Sequence, residues 1–408
     1  MSMGQSIALE GRLLAEGRCC ILHFRLFTRV ENMTEPLHFQ GFIRDVSYQA
    51  HLASDLLQYD FHDFDVNKAK SFGIINHANG QVAYSKWTSP KRTRTYPFAR
   101  LYNTYNAQKI LTIIPVMKDE GLDGDLDKIQ YSTISWMNLL NVYIVLAYYE
   151  SAEKNRSSKQ KNRNKLTSQK LNTESVRNQI KAIISYKQSA LHWNRTLFEN
   201  RFVEIYEKAI TSYEIIASKT KVKVHPSRTK REYLESVKQD YRRFRDISLK
   251  GSRGAALRES KTKHNLEYLE DGGKSIFLIE NYLGGVYHLT ADEVLRGRSG
   301  YIIQESKNST KKFLPSISDI KDGLFKLILF ANLDSLRVRE RRVKFSTRLK
   351  LTGYKVKGAV QFPCAKSEFS SFVKLNKVSK AYQETLAKLN LEAADNKNLT
   401  IEIRGNNG

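Results

Sequence analysis

The sequence predicts an α+β protein with a mixed α/β core in its C-terminal third. Three observations point there. Apolar strand candidates follow one another at 275–279, 285–289 and 301–307. A helix then opens at Pro315 and carries an apolar run over 324–333. Ahead of this core, strand-like segments fill residues 1–150, and a basic stretch with helix-spaced apolar residues fills 151–262. The expected organisation is therefore a β-rich part (1–150), a basic linker and helical segment (151–262), and a core of mixed sheet flanked by helices (263–408).

In chain order, the segments 7–14, 19–30 and 37–48 carry apolar and aromatic residues between polar breaks, as strands do. His77-Ala-Asn-Gly80 reads as a tight turn into a strand at 81–87. A buried strand is expected at 109–116, a helix at 129–140 and a strand at 142–149. Residues 151–170 alternate Lys and Arg with Ser, Asn and Gln, which reads as a linker or exposed basic loop. From 173 to 218, Ile180, Ile183, Ile184, Leu191 and Leu197 recur at helical spacing, and after the break at His225-Pro-Ser227 the pattern resumes over 230–250. Within the core, Pro315 with Ser316 or Ser318 suits a helix start, and Asp319 and Asp322 suit the dipole of its first turn. A further strand is expected at 341–351, a hairpin partner at 354–362 and a helix at 374–391.

The charge narrows the function. Sixty-seven Lys and Arg against 42 Asp and Glu leave a formal net charge of +25, and a surplus of that size implies a polyanionic partner. It is interleaved with 21 Tyr and 19 Phe, which can stack on bases while the cations neutralise phosphates. Lys91, Arg92, Arg94 and Arg100, grouped around Tyr96 and Phe98, are expected DNA contacts, as are Arg242 and Arg243 on the outer face of the 230–250 helix. Cys19, Cys20 and Cys364 have neither zinc-site spacing nor the density of a disulfide framework, which fits a reducing cytoplasm. No signal-peptide pattern opens the chain and no apolar run reaches membrane length, so no membrane association is expected.

Chemistry is expected at Glu305-Ser306-Lys307. Successive strand residues face opposite ways, so Glu305 and Lys307 project from one face. A carboxylate can hold a hard cation, and a neighbouring lysine can orient the attacking water. The triplet alone proves little, because the chain holds four of the form Asp/Glu-x-Lys, at Glu259, Glu305, Asp319 and Asp395. Only Glu305 is delivered by an apolar strand, and Asp292 closes the strand before it. Neighbouring strands would bring Asp292, Glu305 and Lys307 together as a two-carboxylate magnesium site with a lysine beside it. Glu280 and Glu293 are possible extra ligands, although Glu293 should face away from Asp292. The acidic cluster Asp119, Glu120, Asp123, Asp125 and Asp127 reads either as a second cation site or as a helix start.

The order helix, strand, strand ending in Asp, strand ending in Glu-x-Lys, helix resembles the PD-(D/E)xK nuclease core. More closely, His288-Leu-Thr-Ala-Asp-Glu-Val-Leu295, Gln304-Glu-Ser-Lys-Asn-Ser309 and Leu314-Pro-Ser-Ile-Ser-Asp-Ile-Lys-Asp-Gly-Leu324 look like a group of bacterial type II restriction endonucleases. Lys109–Tyr149, with its Lys-Asp-Glu-Gly and Gly-Asp-Leu-Asp, and Ser189-Ala-Leu-His-Trp-Asn194 look like other segments of that group. The resemblance implies a Mg2+-dependent enzyme of the bacterial cytoplasm that cuts double-stranded DNA at a short sequence. It further implies a DNA methyltransferase encoded nearby and the possibility of a homodimer. Carried over by position, the motif Asp is Asp292, the motif Glu is Glu305 and the motif Lys is Lys307, with Ala291 where the motif has Pro. A repair or branched-DNA nuclease of the same core, a non-catalytic basic DNA-binding protein and an RNA-binding module are the competing readings.

Overall fold

Asp292 and Glu305 sit in a nine-stranded mixed sheet that draws strands from both ends of the chain. The computed structural model describes residues 37–91, 97–157, 162–238, 273–281, 286–297 and 300–406. The expected strands at 7–14 and 19–30, with Cys19 and Cys20, lie outside these residues, as do Arg92, Arg94, Arg242 and Arg243. Asn32–Gly408 forms one compact unit of mixed α+β architecture.

The first described strand is β1 (His38–Ile43). A second sheet follows, built from β2 (Gln58–Asp60), β3 (Phe72–His77), β4 (Gly80–Lys86), β5 (Ile110–Pro115) and, later, β8 (Tyr143–Ala147). Its order is β2-β3-β4-β5-β8, with β4, β5 and β8 parallel. Every residue of β5 and β8 is buried, which is why Ile-Leu-Thr-Ile-Ile-Pro and Tyr-Ile-Val-Leu-Ala are near-continuous apolar runs. Helix α1 (Pro97–Tyr102) precedes β5. The small hairpin β6 (Met117–Asp119) and β7 (Leu126–Lys128), then α2 (Tyr131–Leu139), separate β5 from β8.

The basic stretch 151–170, expected as a linker, is instead largely a hairpin of β9 (Tyr149–Lys154) and β10 (Leu166–Leu171) with slipped register. Three buried anchors hold it: Tyr149, Leu166 and Leu171. Its exposed polar residues hide the period-2 pattern that would have marked it. The helical segment comprises α3 (Thr173–Ser185), α4 (Ala190–Asn200), α5 (Phe202–Thr220) and α6 (Ser227–Lys238). Asn172 and Ser189 cap α3 and α4 by accepting from the N–H groups of Ser175 and His192.

The C-terminal part supplies β11 (Gly273–Asn281), β12 (Val286–Gly297) and β13 (Gly300–Asn308). Helix α7 (Ile317–Ala331) follows, capped by the Ser316 hydroxyl on the Asp319 N–H. Then come β14 (Leu333–Val338), β15 (Arg341–Val343), β16 (Phe345–Gly353) and β17 (Ala359–Phe362). Helices α8 (Lys366–Asn376) and α9 (Lys380–Asp395) lead to β18 (Leu399–Gly405). The single helix expected at 374–391 is thus two, broken where Lys377 takes a left-handed conformation (φ 47°). The hairpin partner expected at 354–362 pairs with β18 rather than with β16.

The nine strands run β15-β14-β1-β11-β12-β13-β16-β18-β17. β1, expected among the N-terminal strands, pairs parallel with β11 (His38 opposite Ile276) and antiparallel with β14. α7 lies against β13 and β16. An aromatic stack joins α7 to the other layer: Phe98 of α1 lies 4.7 Å from Phe325 of α7 and 4.8 Å from Trp136 of α2. Among the described residues, no helix is long and apolar enough to cross a membrane.

Candidate active site

β13 alternates as its sequence requires. Gln304 and Ser306 face one side, while Ile303, Glu305 and Lys307 face α7. β12 is antiparallel to β13, with Glu293 opposite Gln304, so Asp292 comes opposite Glu305. Asp292 is in the interior of β12 rather than at its end, where the register with β11 slips by one residue between Ala291 and Val294. Such a bulge re-aims a side chain locally. Here Ala291 is buried in the core, while Asp292 turns to the Glu305 side and accepts the Ser306 N–H at 3.0 Å.

Two lysines converge on Glu305, which is 2% exposed. Lys326 Nζ of α7 is 2.5 Å from Glu305 Oε1, and Lys307 Nζ is 3.2 Å from the same oxygen. Lys307 Nζ also reaches Asp322 Oδ2 of α7 at 3.1 Å. Burial, then the nearby Asp292 carboxylate, push the Glu305 pKa up to about 7 against the opposing pull of Lys326 and Lys307. Burial works against the charge of both lysines, but the Glu305 carboxylate and the other carboxylates outweigh it and raise both ammonium pKa values.

α7 comes this close because residue 323 is glycine. A Cβ there would stand 2.8 Å from Leu349 Cδ1 and 3.1 Å from Lys307 Cε. Sequence reasoning missed Gly323, Asp322 and Lys326. The signal was present, since Asp322 and Lys326 are four apart on a helix expected to cover the strand.

The donor set suits a hard divalent cation. Asp292 and Glu305 present carboxylate oxygens on one side of the sheet, and their mutual repulsion would favour a cation between them. Among the described residues, no group of three or more His, Cys, Asp and Glu side chains is placed to hold a metal ion, and Asp292 with Glu305 offers two carboxylates. Magnesium, which keeps several waters, needs no more than that from the protein. The possible extra ligands stay apart. Glu293 is fully buried on the opposite side and accepts from Gln304 Nε2 at 2.6 Å, and Glu280 pairs with Val286 near the far end of β11.

The chain matches no family model, no curated protein and no solved structure.

The acidic cluster is built differently. Asp119 and Asp127 are both fully buried. Asp119 meets Lys230 Nζ and His225 Nδ1, each at 2.8 Å, and accepts the N–H groups of Gly121 and His225. Asp127 meets Lys91 Nζ at 2.6 Å and accepts the Ser89 hydroxyl at 2.7 Å. Glu120 pairs with Lys118 at 2.8 Å, and Asp123 accepts the Asn164 N–H at 2.7 Å. These carboxylates fasten the β6–β7 hairpin to α6 and to the loop after β4. Lys91, expected on DNA, is thus committed to Asp127. Arg100 donates to the Lys86 carbonyl at 2.7 Å, and its burial lowers the guanidinium pKa.

Proposed function

We propose that this protein is a Mg2+-dependent endonuclease with a PD-(D/E)xK-type core, which hydrolyses phosphodiester bonds of double-stranded DNA at a specific short sequence. One observation carries the reading: Asp292 and Glu305 from adjacent strands and Lys307, two residues on, share the α7 side of one sheet. A net charge of +25 supports a nucleic-acid substrate.

Asp292 and Glu305 would hold the ion. When bound, magnesium would stabilise the charge building on the scissile phosphate and acidify the attacking water. Lys307 is fixed between Glu305 and Asp322, so its ammonium is already oriented toward the carboxylate that the phosphate must approach. It would orient the attacking water and share the phosphate's negative charge. Water attacks phosphorus in line, the bond from phosphorus to the leaving oxygen breaks, and that oxygen takes up a proton. Burial keeps bulk water from Glu305, which strengthens each of these charge interactions.

The test is plasmid DNA incubated with the protein, with and without magnesium. Discrete fragments that appear only with magnesium support the reading, and protection by methylation of the plasmid places the enzyme in restriction–modification. Random nicking, or preference for branched substrates, favours a repair or resolution nuclease of the same core. No cleavage under any divalent cation leaves a DNA-binding protein and removes the enzyme.

A further inference from the structure

The β14–β15 hairpin sits in the same sheet as the carboxylates and plays no part in their chemistry. Its sequence, Arg337-Val-Arg-Glu-Arg-Arg-Val-Lys344, sets five cations against the single acid Glu340. Arg337, Arg339, Arg341, Arg342 and Lys344 are all exposed. Val338 pairs with Arg341, so Arg339 and Glu340 form a two-residue turn. Both are left-handed, with φ of 47° and 65°. That turn ordinarily takes Asn-Gly, because a longer side chain at positive φ is strained. Here two long charged side chains occupy it.

The contrast with the helical layer is informative. There several exposed cations are neutralised three or four residues away: Arg195 by Glu199, Arg201 and Lys208 by Glu204, Arg228 by Glu232. Among the described residues, Arg337, Arg339, Arg341 and Lys344 make no ion pair, and Arg342 spends one N–H on the Asp334 carbonyl. Concentrated, uncompensated charge on a strained ribbon calls for an external anion.

The register says where that anion would lie. Val338 is opposite Phe39, Phe39 opposite Phe277 and Phe277 opposite Leu289. The turn, one or two residues beyond Val338, therefore stands level with Thr290 and Ala291, next to Asp292. Four strand steps separate β15 from β12. At ~4.8 Å each this is about 19 Å. Along a duplex rising ~3.4 Å per base pair, it is about five or six base pairs.

We propose that the β14–β15 hairpin grips the phosphate backbone of a DNA duplex about five or six base pairs from the phosphate held at Asp292 and Glu305. The position relative to the cut rests on the nuclease reading; the phosphate grip does not. Arg339, Arg341 and Lys344 neutralise phosphates and contribute affinity without reading sequence.

The experiment is fluorescence anisotropy of a labelled 30-base-pair duplex in EDTA, from 50 to 300 mM KCl. It compares wild type, the triple variant R339A/R341A/K344A and the gain variant E340K. Each phosphate contact contributes ~0.9 to the slope of log affinity against log salt. The triple variant should lose about 2 to 3 from that slope and bind ~10- to 100-fold more weakly at 0.1 M salt, on any duplex sequence. E340K should bind more tightly than wild type, with a steeper slope. All three side chains are exposed, so an unchanged melting temperature is expected and confirms the fold. A wild type that binds steeply while the triple variant and E340K match it overturns the hairpin's role and leaves the nuclease reading intact. Loss of binding in the triple variant of a protein that never cleaves DNA keeps the hairpin and removes the nuclease. A wild type that binds no duplex DNA, or that prefers duplex RNA through the same three residues, overturns the proposal.

Discussion

Asp119 and Glu305 are both shut off from water and both meet lysine, yet their surroundings differ. Asp119 stands alone among donors: a fully buried Lys230, His225 and two backbone N–H groups. Glu305 has Asp292 opposite it, and its two lysines are only partly buried. The first arrangement is electrostatically closed, and any change to it costs stability. The second pairs like charges and is balanced by lysines that keep contact with water. An acidic cluster in sequence is thus a poor guide to a cation site. What distinguishes Glu305 is a second carboxylate beside it, with two partly exposed lysines as the compensation.

The largest effect on stability should come from the closed site. Asp119→Ala leaves Lys230 buried without its partner and should destabilise the protein by about 3–5 kcal/mol, read from denaturant unfolding. A loss under 1 kcal/mol would mean that Lys230 escapes to water and that the contrast is overstated. Next is metal linkage at the open site. At pH 8, magnesium or manganese at a hundredfold excess over its dissociation constant should stabilise wild type by about 2.7 kcal/mol. Asp292→Asn should remove that gain. A thermal shift that survives Asp292→Asn would place the cation elsewhere.

Glu305 gives a pH signature of definite sign. Its folded pKa of about 7 lies above the ordinary glutamate value, so its contribution is fully present below pH 4.5 and is lost as pH rises through 7. Without metal, Glu305→Gln should therefore gain about 1–3 kcal/mol over wild type at pH 8 and flatten that part of the profile. A variant less stable than wild type at pH 8 would mean that the two lysines need the charge. The smallest effect belongs to Gly323→Ala. Alanine favours a helix by ~1 kcal/mol, but its Cβ would press on Leu349 and the Lys307 stem. The net should be near zero or slightly destabilising by calorimetry, and a gain of a full kcal/mol would show that α7 is not held tightly against β13.

Local patterns made much of the open site readable. Alternation in β13 places Glu305 and Lys307 together, and the Ser316 cap with its apolar run announces α7. The sequence places Asp292 one strand before Glu305, although the bulge that turns it is not visible there, because a register slip depends on the partner strand. Lys326 and Gly323 need the packing of α7 on β13, which no single segment encodes. The same limit hid the insertion of β1 between β11 and β14, a pairing across more than two hundred residues. It also hid the fate of the acidic cluster, whose neutralising Lys91 and Lys230 are remote in sequence. The hairpin over 149–171 was missed because three buried anchors among polar residues give no strand period.

The proposed function stands on DNA cleavage at Asp292, Glu305 and Lys307. The most direct measurement is plasmid cleavage with magnesium by wild type, Asp292→Ala and Lys307→Ala, with duplex binding by each protein measured alongside. Wild type should cleave, and both variants should bind with wild-type salt dependence while cleavage falls by at least ~10³-fold. Folded variants that bind and still cleave at the wild-type rate would contradict the account.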